Sequence, residues 1–129
     1  MPLMRINLVK GRSKSEVKAI GEAVHRAMVT SFKVPERDRY QIINELKSSR
    51  FVMEDTGLDI PRTKQRILIE VITRPRPREQ KEQFYKLVCE ELERAARIAP
   101  TDVMISIVEN SDDDWSFGHG RAQFLTGEL

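Results

Sequence analysis

The chain has one cysteine, Cys89, in 129 residues. A single thiol forms no internal disulfide and no zinc site by itself, so nothing staples the fold covalently, as suits a reducing compartment. Cys89 reads as a small apolar group. Long apolar runs are also missing. The aliphatic stretches reach only a few residues, as at Ile67-Leu68-Ile69, which excludes a membrane-spanning helix and a secretory signal and points to a cytoplasmic protein with no membrane partner. An excess of one charge is missing too: 22 Lys and Arg stand against 20 Asp and Glu, for a net charge of +2. No general field for nucleic acid results, and any anion site has to be local. Aromatic residues make up only 6% of the chain, too few to stack a nucleic-acid strand. The two histidines, His25 and His119, have no ligand-pair spacing and His25 falls off the main helix stripe, so neither a metal nor a cofactor is expected.

What is present is a chain written twice. A composition 40% hydrophobic and 33% charged builds one packed interior, a single domain over residues 1–129. Pro2 to Val9 alternates as a half-buried strand. Ser13-Lys14-Ser15-Glu16 has capping-box spacing, and Val17, Ile20, Val24, Ala27, Met28 and Ser31 follow as a narrow helical stripe. A second strand is expected over Tyr40 to Leu46. Arg66 to Thr73, rich in β-branched residues, is the clearest strand and should be central. A helix follows over about Glu79 to Arg97, with Phe84, Leu87, Val88, Glu91, Leu92 and Ala95 on one side, and then a strand over Asp102 to Glu109. Pro35 and Pro100, each after a helix, sit 65 positions apart. The halves, about 2–46 and 66–109, are thus two βαβ repeats, and together they give an α+β fold: a four-stranded sheet with both helices on one face. The other face is left bare, as if for copies of the same chain. Lys47 to Gln65 is expected to hold a short hairpin around Phe51 to Met53. The stretch 110–129 forms an aromatic tail.

Few residues can do chemistry. Removal of an initiator methionine would leave Pro2 as a secondary amine at the start of a strand, a nucleophile or a base whose proton affinity responds to burial and nearby charge. In Arg74-Pro75-Arg76-Pro77 each arginine precedes a proline, which pushes both into extended backbone. Two guanidinium forks then point the same way and suit a carboxylate; a solvated basic turn is the plainer reading of the same spacing. Asp38, before the second strand, reads either as a surface ion-pair residue or as a carboxylate reaching a site at one sheet end. Trp115, Phe117, Phe124 and Leu129 belong to a tail with too many large apolar groups to float, so it should fold as a pocket wall or as an arm onto a neighbour.

Pro2 opening the first strand, the doubled βαβ unit and arginines at the end of the third strand resemble the tautomerase superfamily, whose members use an amino-terminal proline. Asp38-Arg39-Tyr40, Arg74-Pro75-Arg76, Glu109-Asn110-Ser111-Asp112, Trp115-Ser116-Phe117-Gly118 and Phe124-Leu125-Thr126-Gly127 are similar to its malonate semialdehyde decarboxylase family, over nearly the whole chain apart from Lys47 to Gln65. The resemblance implies a tautomerase-like homotrimer acting on a small carboxylic acid. It implies Pro2 as the cationic or carbonyl-attacking group, Asp38 as its acidic partner, Arg74 and Arg76 as carboxylate binders, and Trp115, Phe117, Phe124 and Leu129 as an apolar wall. The implied reaction is decarboxylation of a 3-oxo acid such as malonate semialdehyde to acetaldehyde and CO2. Two alternatives stay open: a tautomerase or hydratase of a 2-oxo, enol or unsaturated acid at the same site, and a non-catalytic trimer.

Overall fold

Strand β1 (Leu3–Val9) turns Met4, Ile6 and Leu8 to one side, where each is at most 1% exposed. Helix α1 (Lys14–Phe32) lies across that side. Its first turn is closed as the spacing predicts: the Glu16 amide donates to the Ser13 hydroxyl at 3.2 Å, and the Ser13 amide donates back to the Glu16 carboxylate at 3.1 Å. Strand β2 (Tyr40–Leu46) then pairs in parallel with β1, Leu3 beside Tyr40. The second half repeats the plan with β3 (Ile67–Thr73), α2 (Arg78–Ala96) and β4 (Val103–Glu109), β3 and β4 again parallel. A last short helix, α3 (Gln123–Thr126), lies in the tail. The computed structural model describes residues 1–129.

The halves meet through β1 and β3, which run antiparallel with Leu3 beside Ile72, giving the order β2-β1-β3-β4. A twofold relation perpendicular to the sheet reverses strand direction but keeps both crossover helices on the same face, so α1 and α2 pack side by side. Both bury their apolar side into one cluster of sixteen residues drawn from both halves, including Ile20, Val24 and Phe32 of α1 and Phe84, Val88 and Leu92 of α2. Phe32 and Phe84 stack across the seam at 5.1 Å. Burial of side chains this size contributes about 1.5–3 kcal/mol each, so neither half can keep its core without the other.

Two sequence expectations fail. Phe51 to Met53 forms no hairpin: a single turn of 3₁₀ helix at Ser48–Arg50 leads into irregular chain. Phe51 and Met53 are nevertheless buried, against Val9 at the sheet's far end. Arg66 takes the place of a partner strand, its guanidinium donating to the carbonyls of Phe51, Ser48 and Thr63. His25 is buried at 8% exposure, although the stripe put it outside. The turn after α1 folds back over it, and its Nε2 bonds the Glu36 carbonyl at 2.7 Å. Glu91 does lie on the packed side of α2 as expected, half-buried at the seam, where it accepts from Arg26 of α1 at 3.0 Å.

Candidate active site

The parallel pairing within each half and the antiparallel joint between them bring four chain segments to one end of the sheet. These are the starts of β1 and β2 and the ends of β3 and β4. Pro2, Asp38, Arg74, Arg76 and the first residues of the tail therefore share one corner. Pro2 is buried, one residue ahead of the Leu3–Tyr40 pair. Proline suits this place because it has no amide to leave unpaired. Met1 precedes it, and the terminal amine lies close enough to Asp38, Arg74 and Arg76 for each charge to act on it. Burial lowers the amine's proton affinity most, Arg76 and Arg74 lower it further, and Asp38 opposes them.

Asp38 is 5% exposed, and neither carboxylate oxygen has a hydrogen-bond partner. Its backbone amide closes the turn by donating to the Pro35 carbonyl at 3.0 Å, which directs the side chain inward ahead of β2. A buried carboxylate without hydrogen bonds is costly. Burial pushes its pKa above the usual value, while the terminal ammonium, Arg76 and His25 pull it down. Asp38 is therefore no surface ion-pair residue: its surroundings contain the amino terminus and a guanidinium.

The two arginines line a polar cavity of about 450 Å³ with Pro75 and Asp112, but they are held differently. Arg76 donates through Nε to the Thr73 hydroxyl at 3.0 Å and through Nη1 to the Phe32 carbonyl at 3.3 Å. Thr73 is fully buried, and the Phe32 carbonyl belongs to the last turn of α1, where partial negative charge favours a cation. Burial and Arg74 both lower the Arg76 pKa, with Asp38 acting against them. Arg74 makes one polar contact, Nε to Asp112 Oδ1 at 2.7 Å, and its guanidinium carbon stands 4.0 Å from the centre of the Phe124 ring.

The tail folds over this corner as an aromatic cluster. Phe117 is 5.5 Å from Trp115, 5.4 Å from Phe124 and 5.8 Å from Tyr40. Its backbone is clasped by buried Gln123, which accepts from the Phe117 amide at 2.9 Å and donates to the Gly118 carbonyl at 2.8 Å. The clasp needs a reversal at Gly118-His119-Gly120, where all three residues have positive φ and two glycines make that inexpensive. A second cavity of about 400 Å³ opens between Met1, Asp38, Tyr40, Phe117, Gln123 and Leu129, within the usual range for small-molecule sites. Trp115 stands one layer back, stacked on Phe117 and donating from Nε1 to Asn110 at 2.7 Å. Leu129 borders the cavity but is 60% exposed. Tyr40 and Gln123 escaped the sequence reading. The strand register that pairs Tyr40 with Leu3 signals the first, whereas nothing in the sequence separates Gln123 from an ordinary polar tail residue.

Known proteins share this chain's sequence family and fold. A family model described as tautomerase enzyme matches residues 38–118, and a second with the same description matches residues 2–60. A protein of Bacillus subtilis (strain 168) named probable tautomerase YrdN is 47% identical over 129 residues, which is all of both chains. A solved malonate semialdehyde decarboxylase, described with decarboxylase and hydratase activities, is 49% identical with a TM-score of 0.96 over 98% of each chain. FG41 malonate semialdehyde decarboxylase inhibited by 3-bromopropiolate is 41% identical with a TM-score of 0.94, over 98% of this chain and 97% of that one.

Proposed function

The chain belongs to the tautomerase family, and from that premise we propose that it decarboxylates a small 3-oxo acid such as malonate semialdehyde, with Pro2 as the amino-terminal residue once Met1 is removed. The observation that supports this reading best is the convergence of the chain's own amine with Asp38, Arg74 and Arg76 at one corner. Loss of CO2 from a 3-oxo acid breaks the bond between C1 and C2 and sends its electron pair into the C3 carbonyl. A positive charge has to stand there when the bond breaks. Pro2 supplies it, as an ammonium hydrogen-bonded to the carbonyl oxygen or as an iminium formed with loss of water and later hydrolysed. The enol or enamine then takes one proton at C2, and the aldehyde is released. The arginines hold the carboxylate so that the breaking bond lies along the carbonyl π system. Phe117, Phe124 and Tyr40 present an apolar surface that favours neutral CO2 over the carboxylate. No step calls for a cofactor.

A second reading has its own support. Burial and two guanidinium groups disfavour the protonated form of the Met1 amine, and a Pro2 amine freed by removal of Met1 would meet the same groups, which suits it as a neutral base in a tautomerase or hydratase acting on an enol or unsaturated acid. The relative named a tautomerase and the described hydratase activity point the same way.

The test is direct. Protein supplied with malonate semialdehyde should release CO2 and acetaldehyde, and Arg74→Ala or Arg76→Ala should raise KM and lower kcat together. Loss of a charge-assisted carboxylate contact costs about 2–4 kcal/mol of transition-state stabilisation, against less than about 0.5 kcal/mol for a solvated arginine. The anchoring separates the two variants: Arg76→Ala should also lower Tm because it vacates Thr73 and the Phe32 carbonyl, whereas Arg74→Ala should not. Full kcat/KM in both variants would sink the assignment.

Assembly as a homotrimer belongs to the same proposal. The sheet face away from the helices exposes Tyr40, Ile42, Met104 and Val108 by 41–59% and has a depression of about 300 Å³ lined mostly by apolar residues. Light scattering should give three times 15.0 kDa, and a monodisperse monomer would contradict it.

A further inference from the structure

Arginine has five N–H donors and offers a carboxylate two edges, one side-on through Nε and one end-on through both terminal nitrogens. Arg74 has its side-on edge occupied by Asp112, Nε to Oδ1 at 2.7 Å, and one guanidinium face near the Phe124 ring at 4.0 Å. Both terminal nitrogens are without a protein partner in the same cavity that Asp112 lines. Arg76 has no such free edge, since Nη1 and Nε are already engaged. Asp112 is itself placed by local structure. It begins a 3₁₀ turn, Asp112–Asp114, in which the Ser111 amide donates to Asp114 at 2.8 Å and the Ser111 hydroxyl bonds Asp113 and Asp114. The two following carboxylates are thus engaged with Ser111, and Asp112 is left to Arg74. As a stability device the pair is weak, because the side chains are 38% and 48% exposed and exposed ion pairs contribute little.

We propose that Asp112 is the positioning residue that turns the end-on edge of Arg74 toward the substrate carboxylate, and that its charge selects monocarboxylates over dicarboxylates. This rests on the reading of Arg74 as a carboxylate binder. The selectivity follows from what else borders the corner. An acid with a second carboxylate would bring it toward Asp112, Asp38 or Glu128. Arg76, Arg37 and the amino-terminal charge beside Asp38 offset part of that repulsion, and Arg121 is already paired with Glu128, but none of them neutralises Asp112 at the Arg74 edge. A monocarboxylate with an uncharged far end avoids that cost.

Binding can be read without turnover. Trp115, the one tryptophan, is linked to Arg74 through Phe117 and Phe124, so its fluorescence should report occupancy. The full-length protein is titrated with 3-hydroxypropanoate as the monocarboxylate and malonate as the dicarboxylate. The wild type should bind 3-hydroxypropanoate more tightly. Asp112→Ala should weaken that binding about tenfold or more, with Tm little changed. Asp112→Asn retains an oxygen for the Nε–H and should weaken it by no more than about threefold, while malonate tightens by about threefold or more as the repulsion is lost. The proposal is overturned if Asp112→Ala binds 3-hydroxypropanoate within about twofold of wild type, if Asp112→Asn is as weak as Asp112→Ala, or if malonate affinity does not rise. Arg74→Ala separates the underlying reading: undiminished binding of both probes in that variant would remove Arg74 as the carboxylate grip, whatever Asp112 does.

Discussion

Protein with any residue left before Pro2, a retained Met1 included, is expected to lose about 10³-fold or more in turnover relative to protein that begins at Pro2. Once acylated, the proline nitrogen is an amide with no basic lone pair, so it can neither hold a proton for the carbonyl nor attack it. Space adds to the effect. Met1 lines the cavity beside Asp38, so its removal creates an amine and also vacates volume where a substrate would sit. Intact mass spectrometry identifies the first residue, and the same preparation is then assayed. Borohydride added during turnover should leave a reduced adduct on Pro2 if the iminium forms, and none if the ammonium acts alone. Equal rates for the two forms would refute every reading that rests on the Pro2 amine.

Asp38→Asn is expected to stabilise the protein while disabling the reaction. Asp38 is buried with both oxygens unpartnered, and burial raises its pKa above the ordinary 3.8 despite the nearby cations. A carboxyl with a raised folded pKa favours the fold fully only below its unfolded value, and that contribution is lost as pH rises toward the folded value. At neutral pH the wild type therefore bears the cost of a buried charge, and asparagine removes it. Relief on the order of 1–3 kcal/mol, a rise of a few degrees in Tm, is expected at pH 7. The gap should close below about pH 4, where Asp38 is protonated as well. Decarboxylation should fall about 10²-fold or more, because the Pro2 amine would lose the carboxylate that favours a proton at this corner, as Asp38 does for the amine of Met1. A tautomerase activity that uses the neutral amine should be spared or increased. An unchanged decarboxylation rate and pH profile would remove Asp38 from the site.

The functional candidates were legible where local chemistry decided them. Proline after arginine extends Arg74 and Arg76 whatever surrounds them, and Pro2 at a strand start is a candidate amine in any fold that follows. Asp38 could be named from its place before β2 but not its condition, because the absence of any partner for its oxygens depends on how the turn after α1 packs. The same holds for Asp112. Nothing within a few residues of Asp112 says that Arg74, 38 positions earlier, will dock on it. The arginines look interchangeable in the sequence and differ in the structure because one meets the carbonyl of Phe32, 44 positions away, and the other meets the tail.

The sequence by itself determined the repeat, the closure of α1 by Ser13 and Glu16, the four strands and the parallel pairing within each half. These follow from side-chain period, capping chemistry and the handedness of a βαβ crossover, all of which act over short spans of chain. Only the tertiary structure decided that the halves join antiparallel through β1 and β3, that His25 and Phe51 are buried, and that the tail closes over the corner where the amino terminus lies. Each of these depends on which surfaces meet across the sheet, and burial rewards apolar area without regard to the distance in sequence between the residues that supply it.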